Sequence, residues 1–262
     1  MKAFCAVFGA ILLAALTWAQ TGVGVSPPRA VYQAAPGTRV EGAVWVDHPG
    51  QAGAMRVRGM LSDVLVQPDG EPVYLDPGSH PRSLARWLSY RPLSFVLQPK
   101  EVREVRYTIE VPPNAQDGTY WAVLFFDSGP LRENPTKGIG VRFRVRVGHV
   151  IYVNVGRITR SGRIEGLRYL PPRGKHPAQL RIKFRNTGNG LMRLNGVAEL
   201  RDPGGKLVAK AVVNNAASLP GTAYEIAARF DRPPPPGRYV ALVKLDYGEA
   251  AVILGEDEVV VR

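Results

Sequence analysis

The sequence has almost no cysteine with which a secreted protein could be cross-linked: Cys5 is the only one among its 262 residues. Cys5 is followed by an apolar run at 6–16, and Lys2 precedes that run, as in the core and the basic start of a signal peptide. We expect cleavage before Gln20, so that residues 1–19 are a signal peptide and the exported chain has no disulfide. Such a chain depends on buried apolar side chains, and about 240 residues suffice for two domains.

The sequence also lacks the motifs of catalysis, of metal binding and of membrane insertion. After the signal peptide, no apolar run approaches the ~20 residues that a membrane-spanning helix needs. There is no nucleophile elbow, no His-Glu-x-x-His and no phosphate-binding loop. The few histidines are too far apart to offer a close pair of metal ligands; they are His48, His80, His149 and His176. We therefore predict that the protein is not an enzyme and binds neither a metal nor a cofactor.

Acidic residues are outnumbered by basic ones, which gives a formal net charge of +12. Basic proteins can bind nucleic acid, anionic lipid or acidic polymers. Here the basic residues mostly alternate with apolar ones, as on the solvated face of a sheet. Binding to single-stranded nucleic acid would favour aromatic residues interleaved with basic ones. Among Arg142, Arg144 and Arg146 there is only Phe143, which points to the opposite face, so we do not expect a nucleic-acid partner.

One stretch, residues 137–155, organises the rest of the chain. Its first part alternates apolar residues with arginines and glycines, which predicts a strand with one apolar face. Gly148 separates this part from a second apolar run at 149–155. We interpret the stretch as the last strand of one domain followed by the first strand of the next. The apolar row can face the core or, at a sheet edge, form an exposed docking row; it consists of Ile139, Val141, Phe143, Val145 and Val147.

The remaining chain predicts short strands separated by turns that contain proline and glycine. About seven strands in the first half are typical of a β-sandwich, and the nearly all-apolar run at 120–126 predicts a central strand buried on both faces. Tyr120 and Tyr239 each follow a Gly-x pair and a Pro-rich turn, as in the tyrosine corner of immunoglobulin-like domains. We predict an all-β protein of two immunoglobulin-like β-sandwich domains in tandem, at 20–148 and 149–262, with less than roughly a tenth of the mature chain helical.

Three stretches resemble the periplasmic pilus chaperones of the PapD type. SPPRAVY at 26–32 is similar to the first strand of that family. LQP at 97–99, followed by VRY at 105–107, resembles the turn between its fourth and fifth strands, and the alternating residues 139–147 resemble its long final strand. The resemblance implies a secreted, periplasmic or envelope protein that binds a pilin-like or envelope protein subunit by β-strand addition.

The resemblance also implies which residues bind the partner. Arg29 matches the first-strand arginine that holds the subunit's terminal carboxylate, whereas the lysine of the family's final strand has no counterpart after Lys137. The predicted partner-binding residues are Arg29, Ile139, Val141, Phe143, Val145 and Val147. The alternative is a bacterial two-domain immunoglobulin-like surface protein, with a structural or adhesive role, that binds a wall component or polysaccharide.

Overall fold

The computed structural model describes residues 22–50, 53–130 and 144–262. These residues form seventeen strands and no helix, so they contain no helix that could cross a membrane. This confirms the all-β prediction for the described part of the chain. The predicted signal peptide lies outside the described residues, as do Ile139, Val141 and Phe143 of the apolar row.

The first ten strands form two facing sheets. One has the order β1-β3-β8-β6, and the other has the order β2-β10-β9-β4-β5, with β7 also paired to β4. Their bounds are β1 Gly24–Ser26, β2 Arg29–Ala34, β3 Arg39–Asp47, β4 Met55–Val66, β5 Pro72–Leu75, β6 Leu88–Arg91, β7 Ser94–Leu97, β8 Val102–Glu110, β9 Gly118–Pro130 and β10 Val145–Val155. Together they form the first sandwich.

The other seven strands form the second sandwich from one sheet, in the order β11-β12-β15-β14-β13-β16-β17. The sheet curls until its two end strands pack together: the backbone N–H of Leu167 on β11 donates a hydrogen bond to Asp257 on β17. The curled sheet surrounds a core that includes Ile182, Phe184 and Leu200. The bounds are β11 Gly162–Leu170, β12 Gln179–Asn186, β13 Met192–Arg201, β14 Leu207–Ser218, β15 Ala223–Phe230, β16 Gly237–Asp246 and β17 Val252–Val261.

Strand β9 is the central strand that the sequence predicts, because every residue at 120–126 is buried. Its alternate side chains, such as Leu124, fill the core between the two sheets. On the other face, Trp121 packs against the second sandwich and Phe125 packs edge-on against Tyr74, with ring centroids 4.9 Å apart. The uninterrupted apolar run follows from this burial on both faces.

Both predicted tyrosine corners are present. The hydroxyl of Tyr120 donates a hydrogen bond to the carbonyl oxygen of Gln116 at 3.1 Å. The hydroxyl of Tyr239 donates to the carbonyl oxygen of Pro235 at 2.9 Å. In each sandwich the tyrosine therefore fixes the turn that precedes a core strand, as in other immunoglobulin-like domains.

Gly148 does not separate two domains, contrary to our interpretation of the sequence. Strand β10 passes through it without a break and pairs with β9 along its whole length, so residues 149–155 belong to the first sandwich. The glycine is there for packing: a Cβ at Gly148 would lie 2.9 Å from Cγ1 of Val123 and 3.0 Å from Cε1 of Phe125. We propose that the domain division lies after Val155, where β10 ends.

The two sandwiches meet through an apolar cluster and backbone hydrogen bonds. Trp121 and Tyr152 of the first pack with Leu191 of the second. The N–H of Thr119 donates to the carbonyl oxygen of Asn189 at 2.8 Å, and the N–H of Leu191 donates to Oγ1 of Thr119, also at 2.8 Å. These contacts place the end of β10 at the wall of the cleft between the sandwiches.

Candidate partner-binding edge and cleft

Strand β10 is covered on one flank and half open on the other. Strand β9 pairs with it from Val145 to Val155, whereas β2 pairs with it in parallel only from Val150 onward. Among the described residues, 145–149 have no strand partner on the β2 side. The N–H of Val150 donates to Pro28 on that side, and because amides alternate along a strand, the N–H groups of Arg146 and Gly148 point there as well. We call this stretch, residues 145–149, the open flank.

The described part of the apolar row lies at the margin of the core. Val145 and Val147 are half-buried, and Val147 packs against the core of the first sandwich. Val145 lies beside the first described residue, Gly22, where an added Cβ would be 2.7 Å from Cγ1 of Val145. Arg144 and Arg146 project from the opposite face and are exposed. The apolar face therefore points inward here, but at an edge where an added strand would complete its burial.

His149 anchors β10 at the end of the open flank. It is fully buried, with Nδ1 2.7 Å from the carbonyl oxygen of Pro27 and Nε2 3.1 Å from the hydroxyl of Tyr107. The Tyr107 hydroxyl is in turn 2.8 Å from that of Tyr32. Burial lowers the pKa of His149 and raises the pKa of Tyr107. The neutral imidazole therefore donates from Nδ1 to Pro27 and accepts at Nε2 from Tyr107.

Arg29 begins β2 directly beside the end of the open flank, and it lies in the cleft between the sandwiches. It pairs in register with Val150, is exposed, and lines a groove of ≈ 380 Å³. Arg160 and Arg193 of the second sandwich line the same groove. Arg160 is neutralised by Glu249, whose carboxylate lies 3.0 Å from it. Arg29 and Arg193 have no such ion pair among the described residues.

Arg193 is a functional candidate that the sequence did not indicate. Its guanidinium lies over the ring of Tyr152, 5.7 Å from the centroid. Burial lowers the pKa of Arg193, and the positive charge of Arg29 acts in the same direction. Two neighbouring cations, one of them partly desolvated, make the groove favourable for an anion. Arg193 belongs to the other sandwich, so only the folded chain brings it near Arg29.

Ser83, His80 and Asp63 lie close together in the first sandwich, but their hydrogen bonds are not those of a catalytic triad. Ser83 donates its hydroxyl proton directly to the buried carboxylate of Asp63, at 2.6 Å. His80 accepts at Nδ1 from the N–H of Arg82 and stacks on Trp121. A nucleophilic serine needs a base within hydrogen-bond reach, and here the imidazole of His80 makes no hydrogen bond to the hydroxyl of Ser83. Within the described ranges, no group of three metal-ligating side chains occurs either.

Comparison with known proteins supports the fold and no more. No protein-family model matches the sequence, and none of the curated proteins does. A chain in the chaperone–tip adhesin complex of CFA/I fimbriae biogenesis is 12% identical, with a TM-score of 0.52, over 90% of this chain and 98% of that one. The class 5 fimbriae chaperone CfaA is 11% identical, also with a TM-score of 0.52, over 90% and 99%. The architecture is therefore the two-domain immunoglobulin-like fold of these fimbrial chaperone structures.

Proposed function

We propose that the protein is a secreted, periplasmic chaperone-like protein that binds a pilin-like or envelope protein subunit by β-strand addition. The observation that carries this proposal is the open flank of β10. Backbone groups at an unpaired strand edge can bind a further strand, and alternate side chains then confer specificity. Val145 and Val147 supply the apolar side chains of the described part of this edge. The signal peptide that the sequence predicts is consistent with export.

The cleft offers a second point of attachment for the same subunit. Arg29 and Arg193 face one groove without a carboxylate partner among the described residues. A terminal carboxylate placed between them would gain charge-assisted hydrogen bonds and would offset the repulsion of the two cations. On this proposal, Arg193 takes the place of the lysine that the pilus chaperones have in their final strand and that this chain lacks there. The two structures of similar fold are those of fimbrial chaperone systems, and they support the chaperone-like function in general.

Strand addition is tested by removing one backbone donor from the open flank. The N–H of Arg146 points away from β9, so Arg146→Pro removes that donor while the β9 pairing is kept. Arg146→Ala is the matched control, because both variants lose the ion pair with Asp127 and only the proline lacks the N–H. With a pilin-like subunit encoded by a neighbouring gene, we expect co-purification to fall about tenfold for the proline variant and about twofold or less for the alanine variant.

The same assay tests the cleft. Arg29→Ala and Arg193→Ala should each weaken capture, whereas Arg160→Ala, which removes an already paired cation from the same groove, should weaken it less. Unchanged capture by the Arg29 and Arg193 variants would reject the carboxylate site and leave strand addition standing. Equal capture by the two Arg146 variants would reject strand addition itself. Retention on a wall polysaccharide without any subunit would instead favour the adhesive alternative.

A further inference from the structure

Arginines lie on both sides of β9 on the outer face of the first sandwich, and one row of them already holds a carboxylate. Arg58 on β4 and Arg146 on β10 are both in register with Asp127. Arg146 donates two hydrogen bonds to the Asp127 carboxylate, at 2.6 and 2.9 Å. These bonds lower the pKa of Asp127, and the charges of Arg144 and Arg58 contribute. The row Arg58–Asp127–Arg146 is therefore a carboxylate flanked by two arginines.

Among the described residues, the next row has the arginines but no carboxylate. Arg56 on β4 is in register with Gly129 on β9, and on the other side Cγ of Arg144 is the nearest atom to a Cβ built on Gly129, at 4.0 Å. Both arginines are exposed, and the ion pairs among the described residues include neither of them. Neighbouring strands lie about 4.8 Å apart, so two long cationic side chains border a gap one residue wide.

We propose that this gap, the slot formed by Arg56, Gly129 and Arg144, binds the carboxylate of an aspartate or glutamate side chain in an acidic segment of a protein partner. The bound carboxylate would repeat the arrangement of Asp127 two residues along the sheet. Arginine suits this role because its planar guanidinium can donate two parallel hydrogen bonds to a carboxylate.

The charge of the face indicates a segment with several acidic residues. An exposed ion pair contributes little by itself, so a single acidic side chain would bind weakly. The neighbouring row of Arg58, Asp127 and Arg146 has two positive charges against one negative charge, and its excess positive charge adds to the attraction for further acidic side chains. The slot uses side chains on the outer face of the sheet, whereas strand addition would use the backbone groups of the open flank, and the carboxylate site would use the interdomain groove. The slot therefore describes a contact additional to strand addition, and it stands whether or not strand addition occurs.

Gly129→Asp tests the slot by filling it from within. Gly129 has a φ outside the left-handed region, and no atom of the described residues lies closer than 4.0 Å to a Cβ built there, so the variant should fold. The probe is a fluorescein-labelled octaglutamate peptide, titrated against the mature protein and followed by anisotropy. We expect Gly129→Asp to weaken binding about tenfold or more, because its carboxylate occupies the slot and repels the peptide. Gly129→Ala, which adds no charge, should change binding by about twofold or less.

The arginines are tested against a control of equal charge. Arg56→Ser should weaken peptide binding about fivefold, whereas Arg238→Ser, an exposed arginine of β16 in the other sandwich, should have little effect. If Arg238→Ser and Gly129→Asp weaken binding equally, the peptide responds only to net charge and the proposal is wrong. If inorganic phosphate displaces the peptide where sodium chloride of equal ionic strength does not, the slot is a phosphate site and its assignment to an acidic protein segment is also wrong.

Discussion

Replacing Tyr107 with phenylalanine should destabilise the first sandwich through a histidine that the mutation does not touch. The Tyr107 hydroxyl donates to Nε2 of His149 at 3.1 Å and lies 2.8 Å from the hydroxyl of Tyr32. Because His149 is fully buried and its Nδ1 is already bonded to Pro27, loss of the hydroxyl leaves Nε2 as a buried acceptor without a donor.

The size of the effect follows from that unsatisfied nitrogen. A hydrogen bond contributes about 0.5–1.5 kcal/mol net, whereas a buried polar group left without a partner costs about 1–3 kcal/mol. We expect Tyr107→Phe to lower the free energy of unfolding by the larger amount. Tyr32→Phe is the matched control, because it removes one hydroxyl from the same series of hydrogen bonds but keeps the bond between Tyr107 and His149. Tyr32→Phe should lower the free energy of unfolding only by the net value of one hydrogen bond.

The measurement is equilibrium unfolding in urea, followed by tryptophan fluorescence. After removal of the predicted signal peptide, the remaining tryptophans are Trp45, Trp87 and Trp121, all in the first sandwich, so the signal reports on the relevant domain. A Tyr107→Phe variant no less stable than Tyr32→Phe would refute the reasoning, since it would mean that Nε2 of His149 does not depend on the Tyr107 hydroxyl.

Acidification from about pH 7.5 to about pH 5 should lower the urea midpoint: burial lowers the pKa of His149 below its ordinary 6.5, so below that pH the unfolded chain binds more protons than the folded one. His149→Asn should make the urea midpoint less dependent on pH. If the midpoint of that variant depends on pH as before, the dependence comes from His80, because burial also lowers the pKa of His80. Gly148→Ala should cost about 1–3 kcal/mol, because its Cβ would lie 3.0 Å from Cε1 of Phe125. Gly166→Ala, with nothing within 4 Å of the added Cβ, is the control, and equal destabilisation by the two would contradict the packing argument.

The fold was predictable where local sequence and tertiary packing agree. Period-2 alternation follows from one buried and one solvated sheet face, as in β3, where Val44 and Val46 are buried and Trp45 is exposed. The two tyrosine corners were predictable because each needs only a tyrosine and a turn a few residues before it. Such signals lie within a few residues of sequence and survive in any packing that buries the same faces.

Features that depend on distant residues were not predictable. Gly148 looks like a strand break in sequence, but the reason for a glycine there is the side chain of Phe125 on the neighbouring strand. Arg193 has no motif around it, and it became a candidate only because the fold places it near Arg29 and Tyr152 of the other sandwich. The slot at Gly129 was not predictable either, because it depends on which residues of β4 and β10 lie in register with Gly129.

The open flank and the cleft form one continuous path, and this explains why a strand terminus would be the part recognised. An added strand on the open flank occupies the same side of β10 as β2 and cannot extend past Val150, where β2 begins with Arg29. If it runs parallel to β10, as β2 does, its carboxyl end arrives at Arg29. On the proposed function, the start of β2 therefore sets the register of the added strand, because only a chain that ends there can place its carboxylate between Arg29 and Arg193.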